Sequence, residues 1–214
     1  MNKTLLSATI ACAALFGFAA QAATVSIDGF NSGDQSITVG AIGTVVSDTN
    51  ALRTLTTQLL TTSPPTQSAV EVSFGGLHVT NGGGEDSEVT VSWSLPTTPV
   101  PVGATNVGFL FTVLQSDANL TDIQFFLNDV AVSTFSIPGN TFNKDLTFGV
   151  GNGLLDAGGT LKMVLNGAVG WDLDLDSIGL SYDMPATSSV PEPGSIALLG
   201  LGLAGVAASR RRKA

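Results

Sequence analysis

Asp172, Asp174 and Asp176 occupy every second position of the segment Trp171-Asp172-Leu173-Asp174-Leu175-Asp176. On an extended strand this spacing sends the three carboxylates to one face and Trp171, Leu173 and Leu175 to the other. Successive carboxylates on one face lie about 7 Å apart, close enough for two to share a hard cation, so the chemistry on offer is calcium binding. The apolar phase then shifts, because Ile178, Leu180 and Tyr182 fall on even positions. One extra residue near 176–177 predicts a bulge, a common place for a ligand site. The plainer expectation is an acidic, solvated strand face that opposes edge-to-edge aggregation. Both readings stay open, and calcium is the one cofactor the residues suggest.

Other reactive residue types are scarce. His78 is the single histidine, and no second histidine or Ser-x-Gly elbow lies beside it, so a structural or surface role is expected. The single cysteine, Cys12, lies in an N-terminal apolar stretch, which excludes a disulfide framework and a cysteine metal cluster. Residues 81–88 (NGGGEDSE) resemble a calcium repeat, but such repeats work in tandem and this one stands alone. A plain hairpin loop is the expectation there. Trp93 is placed in the core by its alternation; Trp171 is expected there too, a rim position suited to sugar stacking being the alternative. Glycosidase chemistry needs two carboxylates facing each other across a cleft, and no feature selects such a pair. The expectation is a protein that is not an enzyme.

The elements that must position these residues are strands. In 87–95 the odd positions Val89, Val91, Trp93 and Leu95 are apolar and the even positions polar, and Val70, Val72 and Phe74 alternate in the same way. Residues 105–114 are apolar on both faces and read as an interior strand. Segments 122–127 and 130–137 flank Asn128-Asp129, a two-residue hairpin turn, and 160–165 leads into Asn166-Gly167, a second hairpin signal. Residues 50–60 place Leu52, Leu55 and Leu59 at helical spacing behind an Asn50 cap, so a short helix and a strand compete there. Turn signals about every ten residues predict an all-β fold, a single β-sandwich of jelly-roll-like type. Its closing strand is similar to that of extracellular jelly-roll carbohydrate-binding modules, a resemblance that implies a structural calcium.

Both ends read as addresses. Residues 1–22 combine Lys3, an apolar run over 5–20 and the small-x-small triplet Ala20-Gln21-Ala22 before Ala23, which predicts a signal peptide cleaved after Ala22. Residues 23–185 form the ectodomain and 186–189 a polar linker. The segment 190–194 (Val190, Pro191, Glu192, Pro193, Gly194) is stiff and extended, because each proline fixes its own φ and restricts its predecessor. Residues 195–208 are uncharged and cover about 21 Å as a helix, short against about 30 Å of hydrocarbon. Arg210, Arg211, Arg212 and Lys213, within the basic tail 209–214, extend that reach by snorkelling and hold the tail on the cytoplasmic side of a short transmembrane helix.

The proline segment, short membrane helix and terminal basic cluster, in that order, resemble the PEP-CTERM sorting signal of Gram-negative bacteria. The resemblance covers about the last 25 residues. It implies processing by exosortase at the inner membrane and an association with exopolysaccharide and biofilm. Signal peptidase and exosortase are then the processing partners, and the mature form stands at the cell surface or outside it. Of the eight cations in the 214-residue chain only Arg53, Lys144 and Lys162 remain between the two signals, against sixteen of the seventeen acids, a net charge of −13. That charge argues against nucleic acid as a partner. The leading expectation is a non-enzymatic surface or matrix protein. A calcium-supported carbohydrate-binding module is the alternative, and a polysaccharide hydrolase a remote one.

Overall fold

The structure is a computed structural model and describes residues 21–61, 67–151, 153–184 and 200–203. Gln21–Met184 form one compact unit. Among the described residues its strands are β1 (Gln21–Asp28), β2 (Gln35–Thr38), β3 (Val45–Thr49), β4 (Thr54–Thr61), β5 (Ala69–Ser73), β6 (Gly76–Thr80), β7 (Asp86–Leu95), β8 (Thr105–Ser116), β9 (Thr121–Leu127), β10 (Val130–Ile137), β11 (Phe142–Gly149), β12 (Gly159–Gly167) and β13 (Leu173–Met184). They build two sheets, one in the order β11-β8-β13-β6-β5-β2 with β1 also paired to β13, the other in the order β10-β9-β12-β7-β4-β3. The fold is an all-β, antiparallel sandwich, as the period-2 patterns predict.

The alternation decides which residues meet between the sheets. Val89, Val91, Trp93 and Leu95 of β7 are buried, and so are Phe109, Phe111 and Val113 of β8 and Leu161, Met163 and Leu165 of β12. Phenylalanines fasten one side of the sandwich. Phe109 of the first sheet stacks on Phe125 of the second with ring centres 3.8 Å apart. Nearer the sheet edges, Phe148 of β11 stacks on Phe135 of β10 at 3.9 Å. Burying a large apolar side chain of this kind contributes about 1.5–3 kcal/mol.

Three local expectations meet different fates. Asn128 and Asp129 both take positive φ (50° and 66°) and join β9 to β10 as a two-residue hairpin, the conformation this turn requires. The helix weighed for 50–60 does not form. Asn50 does cap, its Oδ1 accepting from the amides of Leu52 and Arg53 at 2.8 and 2.9 Å, but the cap closes the β3–β4 connection instead of opening a helix. The β-branched threonines then favour extension, and Leu55, Thr57 and Leu59 turn inward with period 2.

Asn166-Gly167 is also no hairpin turn. Asn166 and Gly167 remain in β12, paired with Asp122 and Thr121, and the chain crosses to the other sheet after them. The glycine serves close packing: a Cβ there would lie 2.6 Å from Cγ of Trp171 and 2.8 Å from the Leu120 carbonyl. The loop after β6 likewise crosses between the sheets to β7 instead of closing a hairpin. No helix among the described residues is long and apolar enough to cross a membrane. The expected signal helix over 1–20 and residues 195–199 and 204–208 of the expected membrane helix lie outside the described residues; the described residues 200–203 are helical.

Candidate functional site

The start of β13 brings the acidic ladder into register with the elements around it. Trp171, Leu173 and Leu175 are buried while Asp172, Asp174 and Asp176 are each partly exposed, so the alternation read from the sequence holds. The pairing of β13 with β8 shifts register between Leu175 and Ser177, the place where the change of apolar phase predicts a bulge.

Each of the first two aspartates has a partner on the strand or loop beside it. Asp172 accepts a hydrogen bond from the Asn81 amide at 2.6 Å. Asp174 faces Nδ1 of His78 at 2.9 Å, and Nε2 of the same ring faces the Ser73 carbonyl at 3.2 Å. His78 reaches Asp174 because the two residues are direct partners in the β6–β13 ladder. Burial pushes the Asp172 carboxyl above the usual aspartate range. The Asn81 amide offsets part of this, and the charges of Asp117 and Asp174 add to it. Among the described residues no group of three or more His, Cys, Asp or Glu side chains converges as a metal site.

Trp171 is fully buried and its indole donates to the Ser87 carbonyl at 3.1 Å, so it belongs to the core and not to a sugar-stacking rim. Trp93 is also inside, its indole donating to Asp28 at 2.8 Å.

Two buried polar centres complete the sandwich. Arg53 is 2 % exposed, and its guanidinium donates to both Asp28 oxygens, at 2.5 and 3.0 Å, and to the Ser32 and Gly33 carbonyls at 2.9 Å. It also lies over the Phe30 ring, 5.4 Å from its centre. Burial pushes the Asp28 carboxyl up, but Arg53, the Trp93 indole and the Phe30 amide together hold it below the usual range. This centre ties the end of β1 in one sheet to the start of β4 in the other.

The second centre is Glu85, fully buried in the crossing loop. It accepts from the Ser68 hydroxyl at 2.6 Å and from the Gln67 and Gly82 amides at 2.9 and 3.2 Å. Burial raises its carboxyl and these donors outweigh it, leaving the group below the usual glutamate range. Asn81 beside it donates to the Trp171 carbonyl and accepts from the Ser87 hydroxyl, with the Ser68 hydroxyl oxygen 3.1 Å from its Oδ1. The segment expected to be a plain hairpin loop is thus a packed polar seam.

Sequence reasoning missed both centres, although a signal was present. Arg53 shares the parity of Leu55 and Leu59, and Glu85 that of Ser87, Val89 and Val91, so each pattern extended by one step points inward.

Of the sorting residues, Ala22 and Ala23 lie in β1, paired with Asp183 and Tyr182 of β13. Ala20, Val190, Pro191, Glu192, Pro193 and Arg210–213 lie outside the described residues.

Comparison with known proteins separates the two parts of the chain. No curated protein matches it. Among solved structures it is similar to a protein described as "CBM4 structure and function", at 10 % identity and a TM-score of 0.36, with 59 % of this chain and 86 % of that one covered. It is also similar to a family 11 carbohydrate-binding module from Clostridium thermocellum in complex with a β-1,3-1,4-mixed-linked tetrasaccharide, at 16 % identity and a TM-score of 0.34, covering 74 % and 94 %. A third is the CBM36-1 domain of a multidomain xylanase from the hindgut metagenome of Trinervitermes trinervoides, at 15 % identity and a TM-score of 0.32, covering 63 % and 99 %. Likenesses at these scores assign no ligand. Residues 189–213, by contrast, match the family described as the PEP-CTERM protein-sorting motif. The protein is therefore one that carries a PEP-CTERM sorting motif behind an all-β sandwich.

Proposed function

We propose that the chain is a non-enzymatic surface or matrix protein. Its signal peptide exports it, the 195–208 helix holds it briefly in the inner membrane, and exosortase processes it at the segment Pro191-Glu192-Pro193. The sandwich is then displayed or released among exopolysaccharide. The observation that carries this reading is the match of residues 189–213 to the sorting motif. The proline segment presents an extended backbone to the processing enzyme, since neither proline permits a helix to run through it. The cations Arg210–213 fix the helix orientation. Replacing all four with neutral residues should cause mis-oriented or leaky export, read by fractionation and protease accessibility. Normal sorting of that variant would sink the proposal.

A calcium-supported glycan-binding module is the second reading. It is favoured by the acidic neighbours of Asp172, Asp117 and Asp174, whose charges beside it a divalent cation would offset. Asp172 and Asp174 would supply ligands, Asp176 lying further along the same strand face. Calcium should then raise the melting temperature of the protein and leave the Asp174→Asn variant unchanged. An equal shift in both, or none in either, counts against this reading.

A further inference from the structure

The outer face of the second sheet is not flat. A depression of about 450 Å³ crosses its middle, running from β4 over β7 and β12 to Phe126 of β9. Past Ser92 the surface dips again into a second hollow of about 240 Å³, where Ser94 and Thr160 lie on the same face. The first volume falls within the range of about 300–1,000 Å³ seen for ligand sites on proteins. The trough spans three strand spacings, about 15 Å, across the sheet.

Its chemistry is unlike that of the rest of the surface. Phe126 and Val164 are half-buried on a face that should be polar by alternation, and they form an apolar floor. Thr90 and Ser92 stand beside them, and among the described residues neither hydroxyl is used in a hydrogen bond within the protein. At one end Lys162 is ion-paired with Asp129 in the β9–β10 turn. Lys162 is one of only three cations between the two address segments, and Arg53 is buried. On a domain of net charge −13 the trough is thus a balanced patch with hydroxyls unpaired among the described residues, a half-buried phenyl ring and one paired charge.

We propose that this trough binds an extended, uncharged pyranose chain. The Phe126 ring meets the C–H face of a sugar, Thr90 and Ser92 exchange hydrogen bonds with its hydroxyls, and the Lys162–Asp129 pair offers a donor and an acceptor side by side. The surrounding acidic surface repels polyanions, so the neutral chain is the one admitted. The site lies on the opposite sheet from the Asp172–Asp176 ladder and needs no calcium. It goes beyond the sorting proposal and does not rest on it.

The test is titration calorimetry of the purified full chain in a zwitterionic, sugar-free detergent with excess chelator present. The probes are cellohexaose, xylohexaose and mannohexaose, with an alginate oligosaccharide as the anionic control. Saturable binding of at least one neutral hexaose is expected, with none of alginate. Phe126→Ala should weaken it at least tenfold, and so should Thr90→Arg, which fills the trough from a half-buried position on the outer face. Far-ultraviolet circular dichroism checks that both variants stay folded. Absence of binding to all three neutral hexaoses under chelator overturns the proposal, and so does binding that Thr90→Arg leaves unchanged. The sorting proposal fails separately, through the localisation of the tail variant.

Discussion

Replacing Arg53 with methionine tests the structural account at its most demanding point. Asp28 receives four donors: two from the Arg53 guanidinium, one from the Trp93 indole and one from the Phe30 amide. Methionine fills much of the arginine volume but leaves Asp28 with two donors, strips the Ser32 carbonyl of its donor and leaves the Gly33 carbonyl with the Asn50 side-chain amide alone. Both partners are nearly sealed from water, with side-chain exposures of 0 % for Arg53 and 8 % for Asp28. Removing one member of a buried pair costs about 3–5 kcal/mol. For a domain of this size each kcal/mol moves the melting temperature by about 2–4 °C, so a fall on the order of 6–20 °C is expected. Urea titration of the purified protein supplies the free energy, and calorimetry the melting point. The double variant Arg53→Met/Asp28→Leu should recover much of the loss, because it leaves no orphaned charge. Lys162→Ala breaks a pair exposed to solvent and should cost less than about 1 kcal/mol. If Arg53→Met costs no more than Lys162→Ala, the buried centre does not hold the sheets together and the reasoning fails.

Gly167→Ala should destabilise by about 1–3 kcal/mol, as overpacking does, because its Cβ would collide with Trp171 and the Leu120 carbonyl. A neutral result in chemical denaturation would return Asn166-Gly167 to the role of an ordinary turn. Stability should follow pH in two stages. Asp86 is held above the usual range by burial and Asp172 by burial together with its acidic neighbours, so each destabilises the fold while ionised. That cost is relieved as pH falls through their raised values toward the ordinary range of about 4. Asp28 and Glu85 are held below that range, so their contribution is complete above it and is lost as pH falls through their lowered values. Urea midpoints from pH 7 to pH 2 should therefore rise slightly and then collapse. A monotonic decline from pH 7 would contradict the assignment, as would an unchanged upper limb in Asp172→Asn.

How far the sequence could be read depends on what each signal encodes. Alternation is a direct record of burial, so β7, β9 and β12 and the inward Trp93 and Trp171 follow from it. The Asn128-Asp129 turn follows from the positive φ that those residues tolerate. Asn166-Gly167 misleads because glycine answers two needs, a positive φ and a close approach, and a single sequence does not say which. Asn50 misleads in the same manner, since the Asx bonds that cap a helix also close a strand connection. The pairing of His78 with Asp174 spans 96 residues and is fixed by strand order, which periodicity does not carry. The trough depends on twist and on which strands become neighbours, and it too lies beyond local pattern. The sorting motif is the opposite case, because its order of elements is its function and no folding is needed to see it.

Intact mass spectrometry of the mature protein recovered from the cell surface and medium tests the central claim most directly. Cleavage at both address segments predicts a chain that begins at Ala23, ends near Pro191–193, and lacks the apolar segment 195–208 and the basic tail. A mature protein that still carries Arg210–213 would contradict processing at the motif, and with it the reading of this chain as an exosortase substrate.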